Sequence, residues 1–140
     1  MFAKNRFFSV RASAKKDNQG GKLRIKMGFF MADLIMTEEL QKLKELMDDE
    51  FELLTNLFID DSSKLLIKIK TAYQSGDSNA LRIAAHTLKG NSSNMHAVGI
   101  SLISQQIEDK AKNNDLQGID KLIEQLTVIQ PKIAEILKSF

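Results

Sequence analysis

From Thr37 onward, apolar positions recur at helical spacing, and no stretch alternates apolar and polar residues as a half-buried strand would. Thr37 stands where it can cap a short helix through Leu46. Glu38 and Glu39 fall in that helix's first turn, where the positive end of the dipole favours acids. A longer helix is predicted from about Asp49 to Ser75. Its apolar residues Phe51, Leu54, Phe58, Leu65, Ile69 and Ala72 lie three, four or seven apart, and Gly76 supplies the C-terminal stop. Asp61, Ser62 and Ser63 interrupt that stripe, either by bending the helix or by facing solvent. Asp77 or Ser78 can cap the next helix, roughly 78 to 95, and another follows from about Ala97 to Asn113. Asn113, Asn114 and Asp115 break the pattern. Beyond them, Leu116, Ile119, Leu122, Ile123, Leu126, Ile129 and Ile133 predict a last helix within 115–138, which Pro131 is expected to kink or split.

Short connections force consecutive helices to pack antiparallel. The expected fold is therefore all-α, an up-and-down antiparallel four-helix bundle with a short additional N-terminal helix, occupying residues 36–140. Composition agrees with one domain: 140 residues are 43% hydrophobic and 27% charged, and one proline and seven glycines leave long stretches uninterrupted.

Charge divides the chain more sharply than its net +2 suggests. Residues 1–30 hold eight basic residues (Lys4, Arg6, Arg11, Lys15, Lys16, Lys22, Arg24, Lys26) against Asp17, a net +7; the remainder holds 12 basic against 17 acidic, a net −5. The calculated pI of about 8.8 thus describes a basic leader on an acidic domain, and does not point to a nucleic-acid partner for the whole chain. Residues 1–30 read as an unstructured leader. Its Phe pairs and basic, acid-poor composition leave open an organelle-targeting or membrane-surface role, while Met27, Met31 and Met36 leave open a mis-assigned extension. No apolar run reaches the 18 or so residues that span a bilayer. With no cysteine, neither a disulfide framework nor a thiolate metal cluster can form, which fits a reducing cytoplasm.

The segment Leu81 to Ala97, LRIAAHTLKGNSSNMHA, carries the chemistry. At about 100° per residue, Leu81, Ala84, Ala85, Leu88, Ser92 and Met95 share one face. Arg82, His86, Lys89 and Ser93 form a second stripe roughly 145° away, so His86 is expected to point outward. A lone exposed histidine is ordinarily only a polar surface residue. Here Lys89 stands one turn on, and Gly90 removes a side chain beside the ring. An exposed imidazole is a nitrogen nucleophile suited to attack an acyl phosphate, and a nearby ammonium can offset the charge it would then carry. The chain has no GxxxxGK[ST] loop, no glycine-rich nucleotide loop and no strand-end carboxylate cluster for Mg²⁺. No cofactor or metal site of its own is expected, and a partner must supply both phosphate and Mg²⁺. His86 and His96, ten apart with no third ligand, do not match helical metal spacing.

His86-Thr87-Leu88-Lys89-Gly90-Asn91-Ser92 resembles the H-x-L-K-G-x-S signature of histidine-phosphotransfer (HPt) domains. Leu57-Phe58-Ile59-Asp60 and Tyr73-Gln74-Ser75-Gly76-Asp77 are similar to the family's segments upstream of that helix. Met95, Ala97 and Ile107-Glu108 stand where the family has Leu, Ala and Leu-Glu, so the likeness covers about residues 50 to 110. The resemblance implies a cytoplasmic, monomeric four-helix bundle that takes phosphate from one response-regulator receiver aspartate and passes it to another. A hybrid histidine kinase would stand upstream, and the bundle would have no kinase activity of its own. On that carry-over His86 is phosphorylated, Lys89 stabilises the phosphoryl group and Gly90 leaves room for the docking receiver. Arg82 and Ser93 are rim candidates by geometry only.

One position departs from the pattern: His96 occupies the place of a family glycine that serves a tight helix end or close packing. Either the 96–99 turn shifts or Gly99 takes over that role. The departure motivates an alternative, a non-phosphorylated adaptor or inhibitor that docks on a receiver or kinase. An enzyme with its own active site is weakest, since no Ser, Cys or carboxylate constellation surrounds the histidine.

Overall fold

A computed structural model describes residues 34–140; the leader expected over residues 1–30 lies outside them. The described residues form five helices and no strand: α1 (Thr37–Met47), α2 (Glu50–Gln74), α3 (Ser78–Asn94), α4 (Val98–Lys112) and α5 (Ile119–Lys138). The four long helices close a ring in which α2 packs on α3, α3 on α4, α4 on α5 and α5 on α2, with α3 and α4 the most extensive pair. α1 packs on α2 and reaches the C-terminus of α5, where Lys44 donates to the Phe140 main-chain oxygen. This is the expected four-helix bundle with a short extra helix.

Periodicity becomes packing most plainly in α5, where Ile119, Leu122, Ile123, Leu126, Ile129, Ile133 and Leu137 are all buried at spacings of three and four. Pro131 does not split this helix, which stays continuous through it. The proline is exposed, so its ring reaches solvent on the outer side, and its cost falls on the Thr127 carbonyl, which loses the usual N–H four residues on. The interruption in α2 divides by face. Asp61 and Ser63 are exposed, whereas Ser62 is fully buried and its hydroxyl donates to the Ile59 carbonyl at 3.1 Å while accepting from Gln130 Nε2 of α5 at 3.0 Å. The polar residue is kept because its hydroxyl is satisfied inside the core.

One helix start is capped by a side chain: Asp77 caps α3, its Oδ1 accepting from the Ala80 N–H at 3.0 Å. Thr37 does not cap α1. The cap is Met36, with no side-chain bond, and Thr37 is already the first helical residue.

Three helices end on the same hydrogen-bond pattern, centred on Gly76 (φ 70), His96 (φ 57) and Asn114 (φ 56) in the left-handed conformation. After α3, the His96 N–H reaches the Ser93 carbonyl at 3.0 Å and the Ala97 N–H the Ser92 carbonyl at 2.9 Å. The 96–99 turn is therefore not shifted, and Gly99 does not replace the missing glycine; His96 itself adopts the backbone conformation. Gly99 answers a different demand. A Cβ there would lie 2.5 Å from Leu34 Cδ2, and its N–H donates to the Leu34 carbonyl at 2.8 Å.

That bond belongs to a short strap. Leu34 and Ile35 are buried, the Met36 N–H donates to the His96 carbonyl at 2.9 Å, and the Leu34 carbonyl occupies an N–H in the first turn of α4. The cap residue of α4, Ala97, has no side chain able to do this. The core thus begins two residues ahead of position 36.

Candidate functional site

His86 lies at the middle of α3, on a helix anchored by buried Ala84, Ala85 and Leu88. These residues turn its ring outward, where the side chain is 64% exposed. One turn on, Lys89 is 30% exposed. What joins the two comes from α4: Glu108 is only 15% exposed, and its carboxylate lies between them. Oε2 is 2.8 Å from His86 Nδ1, and Oε1 is 2.8 Å from Lys89 Nζ.

The bridge fixes chemistry as well as position. A carboxylate accepts and does not donate, so Nδ1 carries the hydrogen, and in the neutral ring Nε2 keeps its lone pair. The Lys89 ammonium holds the Glu108 carboxyl below its usual range; burial opposes this, and the His86 N–H adds to it. Glu108 therefore stays an anion at neutral pH.

A second polar rung lies seven residues further along the same antiparallel pair: Ser93 Oγ and Ser101 Oγ are 2.8 Å apart. Since 93 follows 86 by seven and 101 precedes 108 by seven, the two rungs set one register between α3 and α4. Ser93, a rim candidate in the sequence, is thus engaged with Ser101. Arg82 is on the same face, its guanidinium donating to Asn79 Oδ1 at 3.0 Å. Gly90 is exposed, and a Cβ added there would meet nothing within 4 Å. No packing inside the bundle requires a glycine at that position.

The structure therefore brings His86 and Lys89 together through Glu108 and leaves Arg82 and Ser93 beside them with other partners. Sequence reasoning assigned Glu108 no role. The signal available was the Ile107-Glu108 pair, 22 residues from the histidine and on another helix, where only the fold supplies the contact. Among the described residues, no group of three or more His, Cys, Asp or Glu side chains could hold a metal ion, and no helix is long and apolar enough to cross a membrane.

A helical bundle that holds an imidazole at its surface, with one ring nitrogen fixed and the other open, defines the class of proteins that carry a group on histidine. Residues 52–136 match the family model described as Hpt domain, and the chain belongs to that family. Among solved structures it is similar to the histidine-containing phosphotransfer protein B from Pseudomonas aeruginosa PAO1. The TM-score is 0.74 and the identity 35%, over 77% of this chain and 94% of that one. No curated protein sequence matches. The chain is thus a histidine-phosphotransfer component of two-component phosphorelays, and the adaptor reading raised by His96 is not favoured.

Proposed function

We propose that His86 carries the phosphoryl group, taking it from the aspartate of one receiver domain and giving it to another. The observation that carries this reading is the Glu108 bridge, which leaves Nε2 of an exposed ring as the free nucleophile. In the forward step the Nε2 lone pair attacks the phosphorus of an aspartyl phosphate in line. The N–P bond forms as the P–O bond to aspartate breaks, and the electron pair leaves on a free carboxylate. Nδ1 keeps its proton throughout, so the loaded ring is cationic and faces Glu108. Lys89 turns from Glu108 to the phosphoryl oxygens, a shift its flexible stem permits. Glu108 acts as a positioning residue, and Gly90 leaves space for the receiver's active site to approach.

On this reading the Mg²⁺ that assists transfer belongs to the receiver, and a hybrid histidine kinase stands upstream. The chain works as a cytoplasmic monomer with no kinase activity of its own, Arg82 and Ser93 standing at the docking rim. The test is transfer from a panel of phosphorylated receivers to wild type, His86→Gln and Gly90→Gln, scored for acid-labile, base-stable phosphate. His86→Gln takes up no label and keeps its stability to within about 0.5 kcal/mol, as an exposed substitution should. Gly90→Gln folds normally and transfers poorly. Label retained by His86→Gln would refute the assignment.

A further inference from the structure

At the end of the bundle away from the α2–α3 turn, the start of α2, the end of α1 and the end of α5 enclose a groove of about 530 Å³. Its floor is apolar, built on Phe51 and Phe140, whose rings are 6.4 Å apart, and on Leu137. Its rim carries Asp48, Asp49 and Glu52, all exposed and none in an ion pair among the described residues. The α2 cap position, Asp49, makes no side-chain capping bond. Lys44, also on the rim, is committed to the Phe140 main-chain oxygen, and Lys138 of α5 lines the groove as well. Beyond the rim the negative charge continues: residues 38–52 hold seven acids and two lysines. Independently of charge, Thr55 lines the groove at 4% exposure, and its Oγ1 has no hydrogen-bond partner. A buried hydroxyl left alone calls for a polar group from whatever occupies the groove.

We propose that the occupant is the segment Lys4-Asn5-Arg6-Phe7-Phe8 of this same chain. Charge complementarity selects the first 30 residues, whose net +7 faces the acidic rim. Within residues 1–26, these five are the one place where a cation adjoins two consecutive aromatic rings. A phenylalanine ring fits the Phe51, Phe140 and Leu137 floor, Arg6 and Lys4 meet the carboxylates, and the Asn5 amide can serve Thr55. Reach is sufficient. The leader joins the bundle at Leu34, on the strap at this same end, and the 26 residues from Phe8 to Leu34 can extend at most to roughly 85 Å, well beyond the size of the domain. Tethering at that length gives an effective concentration in the millimolar range, so even weak contacts are populated. The groove does not include His86, and transfer proceeds with the segment docked.

The absence of cysteine makes the test direct. Ser9→Cys in the full chain is labelled with a nitroxide, and amide signals are compared with those of a diamagnetic label. Signals from 48–56 and 137–140 lose most of their intensity, while Gly76, Asn114 and Gly118 at the far end keep theirs. Asp48→Lys with Glu52→Lys restores the lost intensity, with far-UV circular dichroism confirming the fold. Raising salt to about 1 M, where screening acts within ~3 Å, weakens the effect in the unaltered groove. Broadening that is absent, spread evenly over the bundle, or indifferent to both the charge reversal and salt would overturn the proposal. So would broadening seen only when labelled chains are mixed with isotopically enriched unlabelled ones, because the occupant would then be a second copy.

Discussion

At His96 the residue and its backbone are at odds. A left-handed conformation costs an L-residue roughly 1–2 kcal/mol that glycine does not bear, although glycine returns part of this as unfolded-state entropy. His96→Gly should therefore raise stability by about 1 kcal/mol, read in thermal unfolding as a higher midpoint by roughly 4 °C, with phosphotransfer unchanged. A lower midpoint would mean that the imidazole makes a contact worth more than the strain. The sequence shows that a glycine is missing, but φ at a non-glycine residue has no side-chain signature, so Gly99 looked like its substitute. Glu108 was equally hidden, because its pairing depends on the register of α4 against α3. Its charge also sets a pH dependence. The folded carboxyl is held below the usual 4.5, so its contribution to stability is present above that value and is lost as pH falls through the lowered one. Glu108→Gln should be slower at neutral pH by roughly tenfold, by analogy with metal-bound histidines that lose an orienting carboxylate, and its stability should lack this acid-side loss. Transfer rates at neutral pH, and unfolding midpoints followed as pH is lowered, decide it in the two proteins.

At the scale of the helix, apolar spacing identified every element within one or two residues at most ends, because amphipathic stripes of this length admit few alternatives. What spacing could not decide was how a helix treats a residue that breaks its pattern. Ser62 turns inward because Gln130 of α5 is there to meet it, a partner 68 positions away. Pro131 was expected to kink or split α5, and the helix continues because buried residues on either side, Ile129 and Ile133, hold both halves on the core. The lost backbone bond still costs free energy. Pro131→Ala should raise stability by up to about 3 kcal/mol, measured by urea unfolding with an unchanged m value. No gain would show that the helix already relaxes around the ring at no cost.

For the molecule as a whole, the strap is as much a part of the fold as the four long helices. Leu34 and Ile35 are 2% and 0% exposed, and burying each such side chain contributes about 1.5–3 kcal/mol, to which the lost bond to Gly99 adds. Against a typical total of about 5–15 kcal/mol, a chain starting at Met36 should be marginal or unfolded at 37 °C. One starting at Met31 keeps the strap and should recover that loss, a contrast that circular dichroism melts of the two will show. Apolar periodicity did not reveal the strap because three residues are too few to carry a period. Its position also governs how the domain tolerates being joined to others. Any module fused directly ahead of Leu34 enters at the α3–α4 turn, at one end of the bundle rather than beside the middle of α3. An affinity tag or an upstream domain there should be borne without obstructing the histidine, whereas a linker trimmed into Leu34 would undo the module it was meant to connect.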